Sequence, residues 1–382
     1  MTSLFGLVSR VRTVFNLSVV PLDSNPLKFG ILGAAAIAPD ALINPAKSHP
    51  EVVIYAVAAR SQKRAAEFAR KHGIEKVFGG PNGYQELLDD PEIDVVYNPL
   101  PNGLHYEWTM KALAAGKHVL LEKPAANTAD ETRQMFEFAE SKGLVLLEAF
   151  HYRFHPVAQR VKAILDSGEL GAVKSTSTML NVTRGIFGPS NIRFDHSLGG
   201  GALMDVGCYT ISSMRFFAGA EPTSVESASH VLAVPQVDIS STATFALAGG
   251  KTGTVTCTLD LPPALGLVPR IPQLHATIVC ERGELRIYNY VLPTLYHSIT
   301  VAPAGGPARV EKAYTFPALG EAWWTTYRYQ LEAFVNKVRG RTPHAWVTKE
   351  DSIANMEAIE MVYAKTGLGS RPKSTYVPPA TT

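Results

Sequence analysis

The chain has 382 residues, 46% of them hydrophobic, with 36 basic and 34 acidic side chains for a net charge of +2. That length suits two domains, and the apolar content can fill large cores, which excludes a disordered or fibrous chain. The near balance of charge leaves no concentrated basic face, so no nucleic-acid partner is expected.

In chain order, residues 1–26 (MTSLFGLVSRVRTVFNLSVVPLDSNP) carry Arg10 and Arg12 and no acid before Asp23. Arginines interrupt the apolar residues, so neither a secretory segment nor a membrane span is expected, and no membrane partner. The segment reads as an amphipathic arm docking through Leu4, Phe5, Val8, Val11 and Phe15. It also fits a mitochondrial presequence, so a cytoplasmic location is expected with import left open.

From residue 28 short apolar runs alternate with amphipathic stretches. KFGIL (28–32), VVIYAVAA (52–59), IDVVYN (93–98), HVLL (118–121) and LVLLEA (144–149) read as buried strands. Helices are expected from about residue 40, then over 62–73, 105–116 and 131–143, the last opened by a capping box of Thr128 and Glu131. Such alternation predicts a doubly wound α/β domain over 27–150 with parallel strands covered on both faces, and ligands at the C-terminal strand ends. Beyond 150 the pattern changes. Helices at 156–166 and 202–218 and a strand at 172–184 lead into strands at 223–234, 238–248, 251–260, 274–281 and 284–290. Helices at 322–339 and 350–366 close the domain. This predicts a second α/β domain over 151–370 with an open, mostly antiparallel sheet, then a tail over 371–382. Cys208, Cys257 and Cys280 are far apart, without C-x-x-C spacing; buried thiols are expected, with no disulfide and no metal.

Four strand exits and one loop carry the chemistry. GAAAIA (33–38) places Gly33 at the tight turn of a dinucleotide fingerprint and Ala35 and Ala38 at its other small positions, with Ala36 and Ile37 between them. Taken alone, such a turn serves close packing equally well. The second strand ends on Arg60 and Ser61 where an NAD site would carry an acid, so a 2′-phosphate, and therefore NADP, is expected. NPLPNGLHYEW (98–108) builds a rigid corner from Asn98, Pro99, Pro101 and Asn102, with His105 opening a helix. HVLLEKP ends a buried strand on Glu122 and Lys123, with Pro124 behind, which aims a lysine at the ligand crevice. In GGGALMDVGCYT (199–210) a close-approach loop precedes a helix on which Asp205 and Tyr209 share one face. An ammonium near that tyrosine would lower its pKa from about 10.

The strand and small-residue turn, the EKP and the GGGxLxDxGxY together resemble the glucose–fructose oxidoreductase, inositol dehydrogenase and rhizopine-catabolism family over residues 27–370. Tyrosine at 209 and EAFHYRFHP (148–156) resemble its branch of dimeric dihydrodiol dehydrogenases and fungal NADP-dependent D-xylose 1-dehydrogenases. The resemblance implies a Rossmann domain plus a substrate domain, pairing as a homodimer through the C-terminal sheet. It implies hydride transfer between NADP and a small sugar or diol, with Lys123, Tyr209 and Asp205 as the catalytic group. The cofactor would lie along Gly33, Ala35, Ala36, Ile37, Arg60, Ser61, Asn98, Pro99, Pro101, Asn102, His105, Glu122 and Lys123. The substrate would be lined by His151, Arg153 and Phe154. Two departures stand out: Ala35 replaces the middle glycine, and His151 replaces a tryptophan of the mammalian dihydrodiol enzymes. The second favours a sugar, with oxidation of D-xylose to its lactone as the first expectation. The alternatives are a trans-dihydrodiol dehydrogenase, a keto-sugar or dicarbonyl reductase, and a non-catalytic dinucleotide sensor.

Overall fold

The computed structural model describes residues 4–15, 17, 19–265 and 267–378. Helix α1 (Leu4–Phe15) has an anchor on the body, an arginine that the expected apolar row did not include. Arg10 is buried, donates to Leu295 O and to the Tyr314 hydroxyl at 3.0 Å each, and stacks on the Tyr314 ring at 3.9 Å. Val8 faces solvent, and the side chains of Leu4, Phe5 and Phe15 lie outside the described set.

The first domain is a parallel sheet. Its strands β1 (Leu27–Leu32), β2 (Val52–Ala59), β3 (Lys76–Gly79), β4 (Val95–Asn98), β5 (His118–Leu121) and β6 (Leu146–Glu148) run in the order 3-2-1-4-5-6. Alternate residues feed two cores, because successive strand side chains point to opposite faces. Leu32, Val96, Val119 and Leu121 pack under α4 (Gly83–Asp89), α5 (His105–Ala114) and α6 (Ala129–Ser141). Phe29, Ile31, Val95 and Leu120 face the opposite side with α2 (Asn44–Lys47) and α3 (Gln62–His72). The pair β3 and α4 went unseen in the sequence, since four strand residues and a seven-residue helix without a side-chain cap leave almost no periodic signal. The helix expected from residue 40 begins as one wide π-type turn, Pro39–Ile43, before α2.

The second domain opens with α7 (Pro156–Asp166), β7 (Val173–Thr183) and α8 (Cys208–Ala218). Then come β8 (Pro222–Val234), β9 (Val237–Leu247), β10 (Lys251–Leu261), β11 (Gln273–Cys280) and β12 (Gly283–Tyr288). The short β13 (Ser298–Pro303) and β14 (Arg309–Glu311) were not expected. The eight strands order as 14-13-12-11-7-10-9-8, antiparallel throughout except for the β7–β10 pair. Helix α9 (Thr326–Val338), although late in the chain, covers the first sheet beside β1: Phe334 meets Phe29 edge-on at 6.1 Å, and Arg328 donates to Ser48 O at 3.2 Å. Helix α10 (Lys349–Thr366) joins the two domains along α6 and α8.

The first part of the stretch expected to be a tail is bonded to the body at residues 371, 372 and 374. Arg371 is fully buried; it pairs with Asp238 at 2.8 Å and donates to Gly200 O at 2.7 Å. Asn127 donates to Pro372 O at 2.7 Å, and Ser374 N donates to Glu131 at 2.6 Å. An arginine written between a serine and a proline gives no hint that it meets an aspartate 133 positions away. The three cysteines are free and buried, as expected. Among the described residues no helix is long and apolar enough to cross a membrane, and no cluster has the makeup of a metal site.

Candidate active site

The exits of β1, β2, β4 and β5 open into one cleft of about 800 Å³ whose far wall is the loop before α8, α8 itself and the start of α9. At its floor Gly33 adopts φ +89°, and a Cβ there would lie 3.1 Å from Leu100 Cδ2. Only glycine meets that turn without strain. Ala34 to Ile37 line the cleft, whereas Ala38 is buried and serves helix packing.

Arg60 and Ser61 line the cleft at the end of β2, joined by Arg64 and Tyr84. Ser61 also caps α3, its Oγ accepting from Arg64 N at 3.4 Å. Burial pushes the Tyr84 pKa up against the pull of Arg60 and Arg64. No acid lines this end, so the donor set suits an anion on the ribose. Pro99, Pro101, Asn102 and His105 line the next exit. His105 is buried, with Nδ1 2.9 Å from Pro124 O and Nε2 2.7 Å from Leu100 O, so it ties the β4 exit to the β5 exit. Burial drives its pKa to about 4. Asn98 does not reach the cleft. It is fully buried and braces the corner, its amide donating to Thr109 Oγ1 at 3.1 Å and its Oδ1 accepting from Leu100 N at 3.3 Å.

At the deep end Lys123 projects from the end of β5. Its ammonium donates to Asp205 O at 2.8 Å and to Asp205 Oδ1 at 3.1 Å, and lies 4.9 Å from the centre of the Tyr209 ring. Burial opposes the Lys123 charge, but Asp205 and its neighbours hold the pKa above its ordinary value. Burial would likewise raise Asp205, yet Lys123 and then Arg193, at 2.5 Å, bring it down to about 2. Glu122, behind the lysine, accepts from the Tyr97 hydroxyl at 2.8 Å, and burial raises its pKa.

Tyr209 departs from expectation. Burial, then Tyr327 and Glu122, raise its pKa well above the ordinary phenol value, because Lys123 bonds Asp205 and not the phenol oxygen. The hydroxyl instead meets His151 Nε2 at 2.8 Å. His151 is therefore a neighbour of Tyr209, not a wall of the substrate site, with 1% of its surface exposed. Arg153 and Phe154 lie away from the cleft. Arg153 pairs with Asp351 at 2.8 Å and covers Phe216 at 3.8 Å, and Phe154 sits in the core. Residues 151–154 form a single 3-10 turn, in which positions three apart eclipse, so Arg153 points about 120° away from His151 and Phe154, and those two are buried on the other side.

The pattern of the GFO/IDH/MocA family, described as an oxidoreductase family with an NAD-binding Rossmann fold, matches residues 27–150, and its C-terminal domain pattern matches 158–286. The chain belongs to this oxidoreductase family. It is 36% identical over 344 residues to D-xylose 1-dehydrogenase (NADP(+)) 2 of Haloferax volcanii, covering 89% of this chain and 98% of the relative. It is 37% identical over 207 residues to human trans-1,2-dihydrobenzene-1,2-diol dehydrogenase, covering 52% of this chain and 58% of the relative. A 3-ketoreductase from Actinomadura kijaniata, in complex with NADP and TDP-benzene, superposes with a TM-score of 0.73 at 26% identity over 93% of this chain and all of the other.

Several cleft residues of this GFO/IDH/MocA member escaped the sequence, Arg64, Tyr84, Arg193 and Tyr327 among them. Arg64 and Tyr84 come from a helix whose polar face reads as solvated and from a helix not seen at all. Arg193 lies in a three-residue 3-10 turn, Ile192–Phe194, and Tyr327 arrives from α9, more than a hundred residues beyond Tyr209. Only Arg193, a few residues before the glycine loop, carried a signal worth following.

Proposed function

We propose that this oxidoreductase removes hydride from the anomeric carbon of an aldose, D-xylose first among them, with NADP as its cofactor. The observation that supports it most is the meeting of Lys123, Asp205 and Tyr209 at one end of a cleft whose other end offers Arg60 and Arg64 and no acid. The small-residue turn at Gly33 leaves room for a pyrophosphate beside the backbone, and the two arginines suit a 2′-phosphate, so the residues present fit NADP. NADP, when bound, supplies the hydride acceptor. Lys123, held charged by Asp205, fixes the substrate oxygen as a point charge. Tyr209 offers that oxygen its hydroxyl, and Arg193 fixes the Asp205 carboxylate that aims the lysine. The relative named a D-xylose 1-dehydrogenase, aligned over nearly its whole length, supports the sugar and the cofactor.

One observation favours a second reading, reduction of a keto-sugar. Both Lys123 and Tyr209 have raised pKa values, so both hold their protons at neutral pH and stand as donors. Oxidation needs one of them deprotonated, so its rate should climb as pH rises from about 7 towards 10, whereas reduction should not. Purified protein with NADP and a panel of D-xylose, D-glucose, L-arabinose and a trans-dihydrodiol tests the substrate by NADPH absorbance. Turnover on the dihydrodiol alone would overturn the sugar reading. For assembly, we favour a homodimer through the second sheet. Its uncovered face presents Ser177, Met179, Thr242, Thr254, His275 and Thr277, and a monomer in sedimentation would refute the pairing.

A further inference from the structure

Behind Tyr209 lie two buried polar side chains, linked in a chain to its hydroxyl, that the reaction as described does not use. The Tyr209 hydroxyl meets His151 Nε2 at 2.8 Å, and His151 Nδ1 meets Thr326 Oγ1 at 2.8 Å. His151 and Thr326 are each 1% exposed. The Tyr327 ring lies against the imidazole at 4.0 Å and also lines the cleft, so the substrate side is closed off by two tyrosines. Three elements supply the parts. The 3-10 turn after β6 gives the histidine, α8 the tyrosine, and the first turn of α9 the threonine, placed there by the Thr325 cap.

We propose that His151 is a positioning residue for Tyr209, and that the Thr326–His151–Tyr209 chain lets one neutral phenol present either its proton or its lone pair to the substrate oxygen. The inference rests on Tyr209 meeting that oxygen. A neutral imidazole has one donor and one acceptor nitrogen, and a threonine hydroxyl can donate or accept. With the proton on Nδ1, His151 donates to Thr326 and accepts from Tyr209, whose lone pairs then face the cleft. With the proton on Nε2, Thr326 rotates to donate, His151 donates to Tyr209, and the phenol proton is free to point at the substrate. Both arrangements satisfy every buried polar atom of the chain, and neither needs a charge. Burial, and secondarily the Lys123 charge, hold the imidazole neutral, with a pKa near 3, which keeps the two arrangements available across the working range of pH. A tryptophan at position 151, with a single N–H donor, would hold the phenol in one arrangement only.

Two measurements test this, one of which needs no turnover. In the ring-nitrogen NMR spectrum of the full chain, the His151 signals are identified by their loss in His151→Gln. They should report a neutral ring, and Tyr209→Phe should shift the Nε2 resonance. A charged ring, or an unmoved Nε2 resonance, would overturn the proposal whatever the substrate proves to be. In steady state, His151→Phe should lower kcat about tenfold in both directions, the worth of one lost hydrogen bond, with KM for NADP unchanged. His151→Gln should recover part of that loss, and Thr326→Val should cost about threefold through its effect on the ring. Unchanged kcat in His151→Phe, or no recovery in His151→Gln when both bind NADP normally, would also overturn it. Failure of every sugar in the panel, with the NMR result as expected, would sink the substrate reading and leave the positioning role standing.

Discussion

At the scale of the residue, the site is an exercise in competing terms. Lys123 and Asp205 are both nearly buried, with side chains 13% and 15% exposed, and burial penalises each charge. Their mutual attraction, with Arg193 on the second carboxylate oxygen, outweighs that penalty, so the pair stays ionised and the lysine keeps its aim. Lys123→Met should therefore lower turnover by about a hundredfold or more, while NADP binding, read by fluorescence titration, stays close to that of the parent. Loss of NADP binding would give the lysine to the cofactor or the fold. Arg60→Asp should shift the NADP to NAD preference by about tenfold or more, since a charge-assisted bond to a phosphate would become a repulsion. Unchanged selectivity would remove the reason for placing a 2′-phosphate there.

At the scale of the element, strand ends are where this fold places its polar chemistry, and the end of β6 carries an unusual member. Glu148 is fully buried, its Oε1 accepting from Ala125 N at 2.8 Å, so it braces the turn that follows Lys123. Burial raises its pKa to about 8. A carboxyl raised in the folded state binds its proton more tightly there than when unfolded. The stability it contributes is complete below about pH 4.5 and is lost as pH rises towards 8. Glu148→Gln should remove that decline, giving a flatter unfolding free energy between about pH 5 and 8 in urea titrations. A parallel decline in both proteins would show that Glu148 ionises freely. Asp205 runs the other way: its pKa is depressed, so its contribution is present above about pH 4 and is lost as pH falls towards 2.

At the scale of the whole molecule, a residue late in the chain holds the glycine loop. Arg371 fills a buried position against Asp238, whose other oxygen accepts from Leu203 N at 2.7 Å and so anchors the turn that carries Asp205. Gly201 allows it: a Cβ there would stand 2.4 Å from Asp238 Oδ1 and 2.5 Å from an Arg371 nitrogen. The glycine loop is thus close-approach as its sequence suggests, with protein as what approaches Gly201. Arg371→Ala leaves a buried aspartate without its charged partner and should destabilise the fold by about 3 kcal/mol or more in chemical denaturation. A change below about 1 kcal/mol would mean the strap contributes little.

The sequence by itself determined much of this protein. Alternating apolar runs specify the parallel sheet. The Gly33 turn, the charges at Arg60 and Lys123, and the spacing of Asp205 and Tyr209 place the cleft, because each signal is local and repeats a short period or fixes one turn. The tertiary structure decided what no local pattern encodes. Short elements such as β3 and α4 have too few residues for a period. The partners of Tyr209, Glu148 and Arg371 arrive from distant segments, and α9 crosses back to the first sheet with Thr326 and Tyr327. Whether a buried phenol has its pKa lowered by a lysine or raised by burial depends on where that lysine's hydrogen bonds go. That is a property of three-dimensional distance, which sequence spacing does not contain.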